Sequence, residues 1–297
     1  MRNPPDILCI GSVLWDIVGR SPSHMGAGSD VPGRITRLPG GVAMNIAMTL
    51  ARFGLRPALL TAIGRDAEGD ELTAACERMG MICDHIYRSE DLPTDRYMAV
   101  EGANGLIAAI ADAHSLEAAG DKILAPLGDG RLGGTSDLWS GPIALDGNLT
   151  QALLAEIAAS AFFKAADLRI APASPGKAER LLPLLPMANA TLYVNLEEAG
   201  IICQSRFANA TEGALGLMAR GARRVLVTDG ARACADGQSG DVICAAPPSV
   251  LVTRVTGAGD TFMAAHIAAE MRGANRQAAQ VAALDAAAHY VSGEIGS

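Results

Sequence analysis

Aromatic residues, basic blocks and long apolar runs are all scarce in this sequence. Only 4% of the 297 residues are Phe, Trp or Tyr, so extensive stacking on a nucleobase is not expected. Lys and Arg number 24 against 32 Asp and Glu. Without a basic block, this balance excludes a generic binder of nucleic acid polymers. The apolar stretches end well short of the about 20 residues that a membrane span needs. No signal-peptide pattern precedes the first strand-like run, and we expect a cytoplasmic protein.

Patterns for metal sites and disulfides are missing as well. The six cysteines form no CxxC pair and the five histidines show no HxxxH or HExxH spacing, so a zinc site is not expected. Free thiols in a reducing compartment are the ordinary interpretation. What is present is a 49% share of hydrophobic residues and 33 glycines without a fixed period, which excludes disorder and collagen. The length allows one large α/β domain or two smaller ones.

Short apolar runs alternate with Ala- and Leu-rich stretches along the chain. This alternation predicts βαβ units and a mostly parallel sheet, with functional groups at the carboxyl ends of its strands. The predicted strands are Ile7–Ile10, Ala58–Ile63, Ile143–Leu145, Leu168–Ala171, Thr191–Val194 and Val225–Thr228. The predicted helices are Ala43–Phe53, Glu68–Met79, Thr150–Phe163, Ala178–Leu185, Thr211–Arg220 and Met263–Met271.

Two segments break this alternation. Residues 14–38 hold turn formers between short β-like pieces, and residues 94–112 have the pattern of a hairpin with its turn at 102–105. Four extra strands without helices between them predict a small accessory sheet. Beside an α/β site such a sheet could act as a lid that excludes water; an ordinary edge extension is the alternative.

The most informative segment is the run from Gly257 to Asp260, directly before an apolar helix. Gly257, Ala258 and Gly259 have small or no side chains, so their backbone N–H groups can approach an anion at the start of that helix. Asp260 follows in the first turn. It would suit a general base that removes a hydroxyl proton while the amides stabilise a transferring phosphoryl group. Helix capping by Asp260 is the alternative.

Two further segments carry candidate binding residues. Gly40 and Gly41 allow close backbone approach to a ligand, and Asn45, one turn into the next helix, can donate to and accept from a sugar hydroxyl. The alternative is a Gly-rich turn before a helix with an exposed Asn45. Asn195 and Glu198 follow a strand and could hold Mg²⁺ directly or through water. Capping by Asn195 beside solvated glutamates is the alternative there.

In this order, the motifs resemble those of the ribokinase/PfkB-type family of carbohydrate and nucleoside kinases over nearly the whole chain. The matching segments are IGSVLWD, which ends at Asp16, GGVAMN, which ends at Asn45, NLEE from Asn195, VLVTDG, which ends at Gly230, and TGAGDTF from Thr256. The resemblance implies one catalytic α/β domain over 1–297, with a mostly parallel sheet, helices on both faces and a β-sheet lid from 14–38 and 94–112.

The resemblance also implies an activity and roles for individual residues. The activity would be transfer of the γ-phosphoryl group of ATP, with Mg²⁺, to a primary hydroxyl of a sugar or nucleoside, by a homodimer that pairs through the lid. By resemblance, Asp16, Gly40, Gly41 and Asn45 would bind substrate hydroxyls. Asn195 and Glu198 would bind Mg–ATP, and Thr228 and Gly230 would contact the nucleotide. The amides of Gly257, Ala258 and Gly259 would bind the anion, and Asp260 would be the base.

One position departs from the family pattern. Members commonly carry Asp-Thr-Thr before GAGD, and in many relatives that Asp/Thr pair helps to hold a monovalent cation. This chain has Arg254, Val255 and Thr256 there, so the need for a monovalent cation is open. Arg254 could pair with a phosphate or a carboxylate, or be a solvated loop residue.

Softer matches indicate the substrate. The segments GLIAAIADAHSLEAAG, LDGNL and ASPGKAERLL, the last with Lys177, are similar to the pseudouridine kinases of this family. They favour a C-nucleoside such as pseudouridine over ribose, keto-sugars or adenosine. For the HSLE part, a helix start capped by Ser115 is the competing interpretation.

Two other function classes are compatible with parts of the sequence. A dinucleotide-binding oxidoreductase would need GxGxxG after the first strand, where this chain has Ile10-Gly-Ser-Val-Leu-Trp-Asp16 instead. A catalytically silent sugar or nucleoside sensor could share the fold, but the intact segments around Asp260 and Asn195 argue against it.

Overall fold

An eight-stranded sheet forms the centre of the computed structural model, which describes residues 4–293; the ends of the predicted domain, 1–3 and 294–297, lie outside the described residues. Six neighbouring strands run parallel, and each of the two strands at one edge is antiparallel to its neighbours. In spatial order the strands are β14 (Asp241–Ala245), β13 (Arg232–Gln238), β12 (Arg224–Asp229), β11 (Ala190–Asn195), β10 (Asp167–Ala171), β9 (Pro142–Asp146), β1 (Ile7–Ile10) and β4 (Pro57–Leu60).

Helices cover both faces of this sheet. In β1, Ile7 and Cys9 pack in one apolar cluster, whereas Leu8 and Ile10 pack in a second cluster on the opposite face, because successive side chains of a strand alternate. The predicted layered α/β fold is confirmed. The α-helices of the described residues are α1 (Val42–Arg52), α2 (Ala67–Arg78), α3 (His114–Ala119), α4 (Gln151–Ala159), α5 (Leu196–Cys203), α6 (Ala210–Ala219), α7 (Ala258–Met271) and α8 (Arg276–Ser292). No helix among residues 4–293 combines the length and the apolar character of a membrane span.

Three predicted elements differ from the structure. Thr61 interrupts the predicted strand 58–63, because β5 (Ala62–Gly64) turns away to pair with β6 (Tyr87–Ser89) in a two-stranded sheet. The predicted helix 150–163 stops at Ala159 and is followed by a single 3₁₀ turn, Ala161–Phe163. The predicted helix 178–185 lies within a 3₁₀ helix, Pro175–Leu184, which contains Pro183. Proline lacks the N–H that an α-helix needs there.

A separate four-stranded sheet confirms the predicted accessory sheet. Its spatial order is β3 (Arg34–Gly40), β2 (Leu14–Arg20), β7 (Arg96–Gly102) and β8 (Gly105–Asp112). The middle pair is parallel and the two outer pairs are antiparallel. Leu14 pairs with Gly40, so the start of β2 and the end of β3 lie side by side where this sheet meets α1.

Candidate active site

Four acidic residues lie near one another where the carboxyl ends of the central strands approach the start of β2 in the small sheet. Asp146 ends β9, Glu198 lies in the first turn of α5, Asp260 in the first turn of α7, and Asp16 in β2. The charges of the other three all raise the pKa of Asp260. The structure therefore brings together three of the predicted site residues, Asp16, Glu198 and Asp260, with Asp146, for which the sequence predicts no role.

Asp260 is held by a side chain from another helix. Asn45 Nδ2 donates to Asp260 Oδ2 at 2.9 Å. Gly257 is the N-cap of α7 and no side chain caps that helix, so capping by Asp260 is wrong, and Asn45 is not a merely exposed residue. Burial, with the neighbouring acids, raises the pKa of Asp260 to about 7 although the Asn45 hydrogen bond lowers it. A carboxylate with such a pKa suits a general base near neutral pH.

The backbone before Asp260 is open toward the site. Gly257 has a φ of 89°, which favours glycine, and a Cβ there would lie 2.5 Å from the hydroxyl of Tyr290. A Cβ on Gly259 would meet no atom within 4 Å in the described part of the chain. The first N–H groups of a helix have no partner within the helix. Ala258 N donates to Val255 O in the preceding turn at 3.0 Å, whereas Gly257 N and Gly259 N have no hydrogen-bond acceptor within residues 4–293 and can be presented to an anion.

Gly40 and Gly41 are tightly packed against the protein itself. A Cβ on Gly40 would lie 2.0 Å from Oδ2 of Asp16, and one on Gly41 would lie 2.4 Å from the carbonyl oxygen of Ser12. Burial raises the pKa of Asp16 to about 6. These glycines let the Asp16 carboxylate lie directly beside the start of α1, which carries Asn45.

Asp146 is the residue that sequence reasoning missed. Its carboxylate is fully buried. Oδ2 accepts from Ser12 N at 2.8 Å, Ser12 Oγ at 3.0 Å and Ala43 N at 3.0 Å, and Oδ1 accepts from Asn148 N at 2.8 Å. Lys177 Nζ donates to Asn148 Oδ1 at 2.6 Å. Asp146 thus ties the end of β9 to the first turn of α1, and the signal available in the sequence was an acid followed by glycine at the end of a buried strand.

Asn195 and Glu198 form a capping box at the start of α5. Asn195 Oδ1 accepts from Glu198 N at 2.8 Å, and Asn195 N donates to Glu198 Oε2 at 2.8 Å. Glu198 is buried rather than solvated, and burial with the charge of Glu197 raises its pKa to about 7. Among the described residues no three His, Cys, Asp or Glu side chains are grouped to hold a metal. A role in metal binding stays a prediction.

Thr228 and Gly230 lie beside this capping box. Thr228 pairs with Asn195 across β12 and β11, and Gly230, with a φ of 58°, opens the turn into β13. A Cβ on Gly230 would meet no described atom within 4 Å, so this turn has free space around it. The proposed nucleotide and metal residues therefore share one end of the sheet.

A cleft of about 1080 Å³ lies at the other end of the sheet. Its walls include Pro5, Arg56 and Trp139, which precede β1, β4 and β9. Ligand sites of open parallel sheets lie at the carboxyl ends of the strands. The cleft is therefore separate from the group of acids around Asp260.

Comparison with known proteins decides the family. The model of the pfkB family of carbohydrate kinases matches residues 4–294. The chain belongs to the pfkB family. It is therefore a sugar or nucleoside kinase, a phosphotransferase with an alcohol group as acceptor, and the family resemblance of the sequence motifs is confirmed.

Individual relatives agree with this membership. The chain is 28% identical to the pseudouridine kinase of Escherichia coli over 274 residues, which covers 89% of this chain and 83% of that protein. A carbohydrate kinase from Agrobacterium tumefaciens matches with a TM-score of 0.78 at 23% identity, over 98% of this chain and 94% of that one. The Arabidopsis thaliana ribokinase solved with ribose and ATP matches with a TM-score of 0.75 at 19% identity, over 97% and 93%. The ribokinase-like fold is confirmed.

Proposed function

We propose that this kinase transfers the γ-phosphoryl group of ATP to a primary hydroxyl of a ribosyl unit, with pseudouridine as the preferred acceptor. The observation that carries the proposal is the Asn45–Asp260 hydrogen bond of 2.9 Å, next to the glycine-flanked N-terminus of α7. A base and an anion-binding nest within one helical turn are the two parts that phosphoryl transfer to an alcohol needs.

The roles follow from where the side chains lie. Asp260 takes the proton of the acceptor hydroxyl, and the amides of 257–259 stabilise the negative charge of the transferring group. Asp16 and Asn45, with the backbone of Gly40 and Gly41, bind the other hydroxyls of the acceptor. Because Asn45 also holds Asp260, a bound sugar and the base share one partner.

Nucleotide and metal fit the neighbouring strand ends. Thr228 and Gly230 border the nucleotide. The use of ATP as co-substrate fits a protein of the cytoplasm, where ATP is available. Mg²⁺ usually takes one or two carboxylates, several waters and the phosphates of its nucleotide rather than a cage of protein ligands. Glu198, with Asn195, fits that demand, because its carboxylate is buried and its pKa is raised to about 7, so a bound cation would favour the ionised form. Bound Mg²⁺ would neutralise phosphate charge.

The preference for pseudouridine rests on likeness and on composition. The relative from Escherichia coli is a pseudouridine kinase, and the segments around Asn148 and Lys177 are among those that resemble this subgroup. With 2 Trp, 4 Tyr and 5 Phe in the chain, the base would be held by hydrogen bonds and aliphatic contacts more than by stacking.

A panel of acceptors tests the substrate. ADP release, measured with pseudouridine, uridine, adenosine, ribose and a ketohexose, is expected to give pseudouridine a kcat/KM at least about tenfold above the others, since a site built to bond a polar edge rejects analogues that lack it. A higher kcat/KM for ribose or a keto-sugar would contradict the choice of substrate. Binding of an acceptor without ADP release from any of them would favour a silent sensor.

The pH dependence tests the role of Asp260. Because the base must be ionised and its pKa is raised to about 7, kcat/KM is expected to fall about tenfold per pH unit below pH 7 and to level off above it. Asn45→Ala removes a donor to the ionised form, so the acid limb moves to higher pH. Asp16→Asn removes a like charge and moves it lower. A limb near pH 4 in the wild-type enzyme would contradict this assignment.

We further propose that the small sheet is a lid and pairs with its copy in a homodimer. Ile35 and Ile110 are 77% and 67% exposed, and the strand register puts both on the same face as the exposed Met98. The edge strands β3 and β8 also leave backbone groups unpaired, which favours association.

Sedimentation velocity should give twice the mass of the 30.5 kDa chain, and the double variant Ile35→Asp with Ile110→Asp should give the mass of a single chain. A monomeric wild type at micromolar concentration would contradict the pairing.

A further inference from the structure

The loop that leads into α7 is tied to the end of α8. Thr253 N donates to Val291 O at 2.8 Å, and Thr253 Oγ1 donates to the same oxygen at 3.1 Å. Arg254 Nε donates to Tyr290 O at 2.8 Å. These contacts join the segment before the anion-binding amides to the last turn of a helix that is remote in sequence.

Tyr290 carries this connection up to the amides themselves. Its hydroxyl donates to the carbonyl oxygen of Thr256 at 2.8 Å, and a Cβ on Gly257 would lie only 2.5 Å from that hydroxyl. The guanidinium carbon of Arg254 lies 4.0 Å from the centre of the Tyr290 ring, in the geometry of a cation–π contact. Among residues 4–293 the partners of the Arg254 side chain are thus the carbonyl and the ring of Tyr290 rather than a carboxylate.

The residues of this loop do not fit the monovalent cation that many relatives hold here. A hard cation needs oxygen ligands, but Val255 has no side-chain oxygen and is 70% exposed. The position of the family's acid holds Arg254, whose positive charge repels a cation and whose Nε already uses the carbonyl of Tyr290. Within residues 4–293 the loop offers an ion no carboxylate.

We propose that Arg254 and Tyr290 are positioning residues that hold the anion-binding amides of 257–259, and that the guanidinium makes a monovalent cation unnecessary. The inference rests on the proposed kinase reaction. A guanidinium is planar, permanently charged and covalently fixed, so it stays between the loop and α8 without depending on the ion content of the solution. Tyr290 in turn restrains the backbone at Gly257, because its hydroxyl bonds the carbonyl of Thr256 and packs against Gly257.

The first experiment varies the monovalent cation in the buffer. Wild-type kcat, and the affinity for adenylyl imidodiphosphate with Mg²⁺ by calorimetry, are measured in buffers whose only monovalent cation is K⁺, Na⁺ or N-methylglucamine. Both quantities are expected to agree within about twofold in the three buffers, since no ion completes the site. A tenfold or larger gain in K⁺, about 1.4 kcal/mol, would overturn the replacement of the cation.

The second experiment changes the side chains. Arg254→Ala and Tyr290→Phe are expected to lower kcat and the affinity for the ATP analogue about tenfold or more, with the KM of the acceptor little changed, because preorganised amides act on the phosphoryl group. Arg254→Lys should recover part of the loss. Arg272→Ala is the matched control. Arg272 also stacks on an aromatic ring and donates to a backbone carbonyl, both of Phe53, but it lies at the far end of α7.

The two proposals fail in different ways. If wild-type enzyme releases no ADP with any acceptor, the proposed function fails, and the affinity for the ATP analogue still measures the effect of Arg254 and Tyr290. If Arg254→Ala and Tyr290→Phe match Arg272→Ala in kcat and in that affinity, the positioning role is overturned while the kinase reaction stands.

Discussion

Replacing Asp260 by asparagine is expected to lower kcat by about 10² to 10⁴, the range of a general base, and to leave ATP affinity largely unchanged. The substitution keeps the size of the side chain and an oxygen for Asn45 Nδ2, which donates to Oδ2 at 2.9 Å in the native site. The amides of 257–259 are untouched. Steady-state turnover and calorimetric binding of ATP separate the two effects.

The same variant has a second expected signature, in stability. The pKa of Asp260 is raised from 3.8 to about 7 by folding, so its contribution to stability is full below pH 3.8 and is lost as the pH rises through 7. Above pH 7 the ionised carboxylate destabilises the fold. Asp260→Asn should therefore raise the free energy of unfolding at pH 8, on the order of 1 kcal/mol after allowance for solvent screening, and less at pH 5.

Exposed acids provide the control for this prediction. Asp285→Asn changes the same charge on the exposed side of α8, and it should leave kcat unchanged and the free energy of unfolding at pH 8 within about 0.5 kcal/mol of wild type. Turnover of Asp260→Asn close to that of the wild-type enzyme would contradict the assignment of the base. Loss of ATP affinity equal to the loss of kcat would point instead to a damaged nucleotide site.

Removal of the Asp146 carboxylate is expected to have the largest effect on stability. Asp146→Ala leaves the N–H groups of Ser12, Ala43 and Asn148 buried without their acceptor. Since an unsatisfied buried group costs about 1–3 kcal/mol, the free energy of unfolding should fall by about 3 kcal/mol or more. Denaturation by urea measures it.

Two companions of this variant sharpen the comparison. Asp146→Asn keeps an oxygen that can accept from Ser12 and Ala43 but puts an N–H₂ toward Asn148 N, so it should lie between wild type and alanine. Asp137→Ala, at an exposed position of the loop before β9, should change stability by less than about 0.5 kcal/mol. Equal unfolding free energies for Asp146→Ala and Asp137→Ala would contradict the account of this carboxylate.

The parallel part of the main sheet could be predicted because most of its strands are largely apolar. Parallel strands such as β1 and β4 are buried on both faces, so they form continuous apolar runs that the sequence shows directly. The antiparallel hairpin β13–β14 was not predicted, since Arg232–Gln238 contains Gly, Ala and Asp, which have low strand propensity. α8 was missed for a different reason: its buried side is largely alanine, as at Ala279 and Ala283, and alanine also covers its exposed side.

The candidate site was predictable only where its groups are close in sequence. The run 257–260 and the GGVAMN segment each contain a local pattern of small residues before a helix. Their contact is not local, because Asn45 and Asp260 are 215 residues apart. Asp146 acts through a hydrogen bond from Ser12, and Tyr290 packs against Gly257. No periodicity or motif spacing in the sequence indicates such distant pairs.

The most direct test of the central claim is the identity of the product. Wild-type enzyme with pseudouridine, ATP and Mg²⁺ is followed by ³¹P NMR, with Asp260→Asn as the parallel sample. A phosphate monoester on the 5′ oxygen and ADP are expected to grow in equal amounts, and both should be nearly absent in the variant. ADP accompanied only by inorganic phosphate, or a monoester formed equally well by Asp260→Asn, would contradict it.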